Sequence, residues 1–224
     1  MRQAIRESGP FLVVWALFVL LAGIAVAIVP KLLLHQQMNA WHPYLGDAAF
    51  PWITKLAEGG LAAVIILGLL FVRVRDALFV GISHGLAAVL VQSLKRGVFS
   101  DHYRPSHFLD QMPDLLLVQG VEMHSKFSFP SGHSAAIFSL CIALALVLSR
   151  RRWGWWLAVL ALLVGFSRIY LSQHFLQDVL AGSTVGILVP LLLYPVFMSE
   201  RLSQRWIWWN QPIKKRADSN RSAN

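Results

Sequence analysis

The chain has 224 residues, of which 56% are hydrophobic and only 14% charged, with a formal net charge of +9. Soluble domains carry about 25% charged residues, so this composition excludes an ordinary soluble domain and points to a single membrane-embedded domain covering 1–224. The positive charges sit in short clusters between apolar runs, as membrane topology requires, so nucleic acid is not an expected partner. Cys141 is the only cysteine, which excludes a disulfide within the chain.

Met1 to Pro10 carries Arg2 and Arg6 and leads into an apolar run from Phe11 to Val29. Ala25-Val26-Ala27 resembles a cleavage site, but signal-peptide cores run about 7–15 residues, so this longer run reads as an uncleaved anchor. Five more apolar segments follow: Leu56–Val72, Ala77–Leu94, His133–Leu148, Trp153–Leu171 and Leu176–Phe197. Each reaches or approaches the ~20 residues that cross a bilayer. The expectation is an all-α polytopic membrane protein with six transmembrane helices. Pro190 and Pro195 fall inside the last segment, which membrane helices tolerate.

Three connections separate these segments on one side. Pro30 to Lys55 is amphipathic, includes Trp41, Tyr44 and Trp52, and is expected in the membrane interface. Lys95 to Gly132 is long and polar, and such loops are functional or disordered. Arg168 to Gln173 is short. The tail, 200–224, combines Trp206, Trp208 and Trp209 with Lys and Arg, and is expected to lie on the membrane surface and end in disorder.

Cation distribution sets the orientation. The termini and the loops at Arg73–Asp76 and Ser149–Arg152 together hold 13 of the 20 Lys and Arg residues. The positive-inside bias therefore places both termini in the cytoplasm. Trp153, Trp155 and Trp156, beside the arginines at 150–152, fit an interfacial belt on that face.

The opposite face collects the unusual residues. Pro130-Ser131-Gly132-His133 turns directly into an Ala-rich apolar helix: Ser131 can cap it, and Gly132 admits a ligand to the backbone. Free N–H groups and the positive dipole end there suit an anion, phosphate above all. His174 and Asp178 are four apart and share a helical face, so the carboxylate can fix the imidazole tautomer and leave Nε2 as a nucleophile. His133 would donate a proton, while Lys95, Arg104 and Arg168 would neutralise phosphoryl oxygens.

Lys95-x8-Arg104-Pro105, Pro130-Ser131-Gly132-His133 and Ser167-Arg168-x5-His174-x3-Asp178 resemble the three signatures of the type 2 phosphatidic acid phosphatase superfamily, which also contains the haloperoxidases. The second and third match without deviation. The first has eight intervening residues where the commonest form has six, leaving Lys95 or Arg96 as its leading cation. The resemblance implies the family's helical core, within which the signatures occupy 95–178. It implies a phosphohistidine on His174 oriented by Asp178, and His133 as acid and then base. It also implies phosphate contacts from Lys95, Arg104, Ser131, Gly132 and Arg168, with no metal and no cofactor.

Other polar residues are expected to play lesser parts. Asp101, His102, His107, Asp110, Asp114, Glu122 and His124 match no metal-ligand spacing and read as loop polarity that lines an entrance. His84 reads as a core histidine bonded to a neighbouring helix, Glu58 as interfacial, and Ser134 as a further hydroxyl for the phosphate. The sequence thus points to an enzyme of the bacterial inner membrane with a periplasmic active site and a lipid phosphate or pyrophosphate as substrate. The alternative is a catalytically silent lipid-phosphate binder or scaffold. A channel or transporter would bury charges mid-membrane, and apart from His84 the spans carry almost none.

Overall fold

The computed structural model describes residues 2–148 and 151–213, and these contain helices and loops without a strand. The helices are α1 (Arg2–Glu7), α2 (Gly9–Ile28), α3 (Lys31–Asn39), α4 (Tyr44–Ile53), α5 (Gly59–Leu70), α6 (Val74–Gly97), α7 (Gly132–Val147), α8 (Arg151–Tyr170), α9 (Leu176–Phe197) and α10 (Glu200–Arg205). Short 3₁₀ turns occupy Thr54–Ala57, Pro105–Gln111 and Ile207–Asn210.

Helix α7 is the centre of the bundle. It is apolar on every side, which suits a helix surrounded by protein. Its neighbours are α6, α8 and α9, and eleven of its sixteen residues are buried. Helix α2 lies outside, against α8 and α9, with only Pro10, Phe11 and Ala22 buried. Helix α5 packs on α6. Three long helices thus surround α7, α2 and α5 pack outside them, and these outer ones turn apolar faces outward.

The α7–α9 contact depends on small residues. A Cβ placed on Gly182 would run into the Ser131 carbonyl and Ser134, and one on Gly186 into the Ala135 carbonyl, Phe138 and Ser139. The Gly182-x3-Gly186 spacing therefore lets the two backbones approach closely, as in small-residue packing of membrane helices. The indole Nε1 of Trp15 donates to Ser183 Oγ at 3.1 Å, tying α2 to the same helix.

Among the described residues, four helices are long and apolar enough to cross a membrane: α2, α6, α8 and α9; a bent pair makes five if counted as one span. Two expected segments come out differently. Leu56–Val72 is not one helix: the chain breaks at Glu58, and Tyr44–Ala57 meets α5 at 51°. A charged residue followed by Gly59 and Gly60 is a poor helix interior, which places the break there. The fourth segment, α7, has 16 residues and so spans only ~24 Å, short of the ~30 Å hydrocarbon core.

The first connection forms α3 and α4, with Trp41, Tyr44, Leu45 and Trp52 exposed, in keeping with an interfacial position. The tail departs from expectation in one respect. Trp209 is buried and stacks on Phe197, and the Gln211 carbonyl accepts from the Val74 N–H, so this part closes the base of the bundle. Residues 214–224, and Ser149 and Arg150 of the expected basic loop, lie outside the described residues. At the same base, Tyr194 donates to Glu7 Oε2 at 2.6 Å.

Candidate active site

The end of the bundle opposite that base is where α6 and α8 finish and α7 and α9 start. Lys95 stands in the last turn of α6, His133 in the first turn of α7, Arg168 in the last turn of α8 and Asp178 in the first turn of α9. Antiparallel packing of four consecutive long helices brings these positions to one end although they are far apart in sequence. His174 precedes α9 in a tight turn, where its backbone N–H and that of Gln173 both donate to the Arg168 carbonyl, at 3.0 and 2.9 Å. Arg168 and His174 are thereby fixed relative to one another.

Ser131 caps α7, accepting from the Ser134 N–H at 3.3 Å and from the Ser134 hydroxyl at 2.9 Å. The Ser134 hydroxyl is therefore engaged in the cap. The Ser131 N–H donates to the Asp178 carbonyl at 2.9 Å, which joins the start of α7 to the start of α9. A Cβ on Gly132 would meet no atom within 4 Å, so the backbone there borders open space.

The Asp178 carboxylate is shared. Its Oδ2 accepts from Ser128 Oγ at 2.5 Å, from the Phe175 N–H at 3.0 Å and faces His174 Nδ1 at 3.4 Å. The first is a short hydrogen bond and the second an ordinary one that caps α9; the third is long for one, a common condition before substrate arrives. His174 is 1% exposed. Burial first, and then the positive charges of Arg104, Arg168 and Lys95 with His133, hold its pKa well below the ordinary imidazole range. The ring is neutral at physiological pH, as a nucleophile must be.

Arg104 is held by Lys126 and Gln173: Nε donates to the Lys126 carbonyl at 2.9 Å and Nη1 to Gln173 Oε1 at 3.0 Å. Arg168 Nη1 donates to Thr54 Oγ1 at 2.6 Å. Lys95 is buried, and it acts electrostatically on His133 and His174 together with Arg104 and Arg168. Arg96 is exposed. Lys95 is thus the buried member of the pair and acts on both imidazoles, while Arg96 beside it is exposed.

His133, Arg104 and Arg168 face one cavity of about 570 Å³. Thr54, Lys55, Glu58, Glu122, His124 and Gln173 also line it. Glu58, expected at the interface, also forms part of the cavity wall. Glu122 and His124 of the long loop border it as expected of an entrance, whereas Asp101, His102, His107, Asp110 and Asp114 are not among its lining residues.

Sequence reasoning passed over Thr54, Ser128 and Gln173, which orient Arg168, Asp178 and Arg104 respectively. Gln173 was within reach, being next to His174. Thr54 and Ser128 carried no signal, since a neutral residue in a loop acquires its role from packing. Lys31 was also passed over: its Nζ lies 3.9 Å from the centre of the Phe175 ring, beside the His174 turn.

Comparison with known proteins gives concordant findings. The family described as the PAP2 superfamily matches residues 76–201. Lipid A 4'-phosphatase of Porphyromonas gingivalis is 27% identical over 73% of this chain and 67% of its own length. Undecaprenyl-diphosphatase BcrC of Bacillus subtilis is 28% identical over 68% of this chain and 76% of its own. The crystal structure of Aquifex aeolicus LpxE superimposes with a TM-score of 0.65 at 27% identity, over 75% of this chain and 96% of that one.

Proposed function

Since this chain belongs to the PAP2 superfamily, we propose that it is a membrane phosphatase that removes a phosphate from a lipid head group through a phosphohistidine on His174. The observation that carries the reading is the meeting of His133, a buried His174 and three cations, Lys95, Arg104 and Arg168, at one end of the bundle. Phosphoryl transfer needs positioning and charge neutralisation more than covalent chemistry, and this arrangement supplies both.

In the reaction, the Nε2 lone pair of His174 forms an N–P bond as the P–O bond to the leaving group breaks. The leaving oxygen keeps that electron pair and takes a proton from His133. Water then adds to phosphorus and yields a proton to His133, while the N–P pair returns to the ring. One water is consumed, and one phosphate is released together with an alcohol from a monoester or a lipid monophosphate from a pyrophosphate. Asp178 fixes the His174 ring through Nδ1, while Ser131 and Gly132 present the start of α7 to the phosphate.

We place the broken α4–α5 pair and the short α7 in the membrane as well. Helices α2, α6 and α8 then run toward the site and α5, α7 and α9 away from it, giving six crossings. Both termini are cytoplasmic and the site faces the periplasm of a bacterial inner membrane, as the cation bias requires. The substrate comes from the lipid phosphates and pyrophosphates on which the named relatives act: lipid A and undecaprenyl diphosphate.

The test is phosphate release from purified protein offered a panel of lipid phosphates in EDTA. Release is expected, and His174→Ala should lower it by at least ~10⁴-fold with an unchanged melting curve. No release from any lipid would leave the silent binder as the better description. Full activity in His174→Ala would remove the nucleophile.

A further inference from the structure

Two cavities meet at Arg104, and their charges differ. The one described above carries two carboxylates, Glu58 and Glu122, outside the cation cluster. The other, about 550 Å³, has Lys95, Arg96 and Arg104 as its charged lining residues. His133 faces the first and is absent from the lining of the second. An acid must face the oxygen it protonates, so the leaving group of the reaction occupies the first cavity, beside the carboxylates.

Both carboxylates are exposed to the cavity, on backbone held near the site. Glu58 sits at the N-cap of α5 and acts electrostatically on Arg168. The Glu122 carbonyl accepts from Gln173 Nε2 at 3.0 Å, so the backbone that bears its side chain is anchored to the turn before His174. Lys55 lies over the Trp52 ring at 4.1 Å from its centre, and His124 Nδ1 lies 3.8 Å from Glu122 Oε1, so each group that could offset the carboxylates is already in contact with another side chain. A second phosphate on the leaving oxygen would be carried toward two like charges. Hydroxyl groups there would find carboxylate acceptors, among the stronger hydrogen-bond partners available.

We infer that the enzyme selects phosphate monoesters with a neutral, hydroxyl-bearing leaving group such as a sugar or polyol over lipid diphosphates, and that Glu58 and Glu122 are the residues that determine this. The inference rests on the phosphatase reading for its account of the leaving group. Specificity is then a difference that includes repulsion of the wrong substrate as well as attraction of the right one. A cavity of this volume accommodates a sugar-sized group.

The experiment compares kcat/KM for an acylated sugar monophosphate and a polyprenyl diphosphate, using the full-length protein in neutral detergent. The parent should favour the monoester by about tenfold or more, and Glu58→Gln with Glu122→Gln should narrow the ratio several-fold by raising diphosphate turnover. A parent that favours the diphosphate, or a ratio unmoved by both substitutions, overturns the inference. Equilibrium binding of the two probes to His174→Ala protein reads the same preference without turnover. Preferential binding of the monoester to His174→Ala, with a parent that hydrolyses neither probe, would sink the phosphatase reading and keep the selectivity; equal affinity would sink the selectivity.

Discussion

Gln173 occupies the position before the proposed nucleophile and works in two directions. Its Oε1 accepts from Arg104 and its Nε2 donates to the Glu122 carbonyl, both at 3.0 Å. Gln173→Leu should leave the Arg104 guanidinium without its side-chain acceptor and lower kcat/KM by about tenfold, as steady-state assays would register. Glu at the same position would pair with Arg104 and compete with phosphate for it. The signature residues were legible because the chemistry dictates their types: a phosphoryl site needs cations, imidazoles and a carboxylate. Gln173, Thr54 and Ser128 were not, because hydrogen-bonding side chains of neutral residues are interchangeable on paper and are distinguished only by where the chain puts them.

His35 offers a test of burial itself. It is 2% exposed, its Nε2 meets Ser172 Oγ at 3.2 Å, and burial followed by the charge of Lys31 lowers its pKa from 6.5 to about 4. The unfolded chain therefore binds a proton here at a higher pH than the folded one does. Stability from this group is complete above pH 6.5 and falls by about 3 kcal/mol as the pH drops toward 4. His174 is shifted in the same direction and adds to the slope. Thermal melting across this range should show the loss, and His35→Gln should make the curve shallower.

Between elements, the contact of α7 with α9 governs how far His133 stands from the His174 turn. Gly182 and Gly186 permit that contact, and the Ser131–Asp178 backbone hydrogen bond fastens it at the site end. Gly182→Ala should drive the Ser131 carbonyl away, costing about 1–3 kcal/mol and reducing kcat by more than tenfold through misplaced catalytic groups. Gly68→Ala, whose Cβ would meet nothing within 4 Å, is the control and should leave both melting and kcat near the parent's. Helix α9 was read from the sequence at its observed limits, Leu176–Phe197, because its cap and apolar run agree. Helix α5 was read too long. A window of mostly apolar residues conceals a break made by Glu58, Gly59 and Gly60, since composition averages over the very positions that stop a helix.

For the molecule as a whole, charge gives an expected orientation, whereas packing order leaves no mark in the sequence. Nothing along the chain says that α7 lies inside and α2 outside, since both are apolar all round and differ only in what surrounds them. Orientation can be checked without background, because Cys141, the only cysteine, is 1% exposed. A membrane-impermeant maleimide should label Asp114→Cys in intact spheroplasts and Glu200→Cys only after lysis. The opposite pattern would invert the proposed topology.

The four helix ends that carry the site come from successive passes of the chain, and the last of them, α9, supplies Asp178 and seats the start of α7. During synthesis, therefore, no partial version of the site precedes the insertion of α9. A nascent protein halted anywhere before that event is inert toward the lipids around it, and activity begins with completion of the bundle.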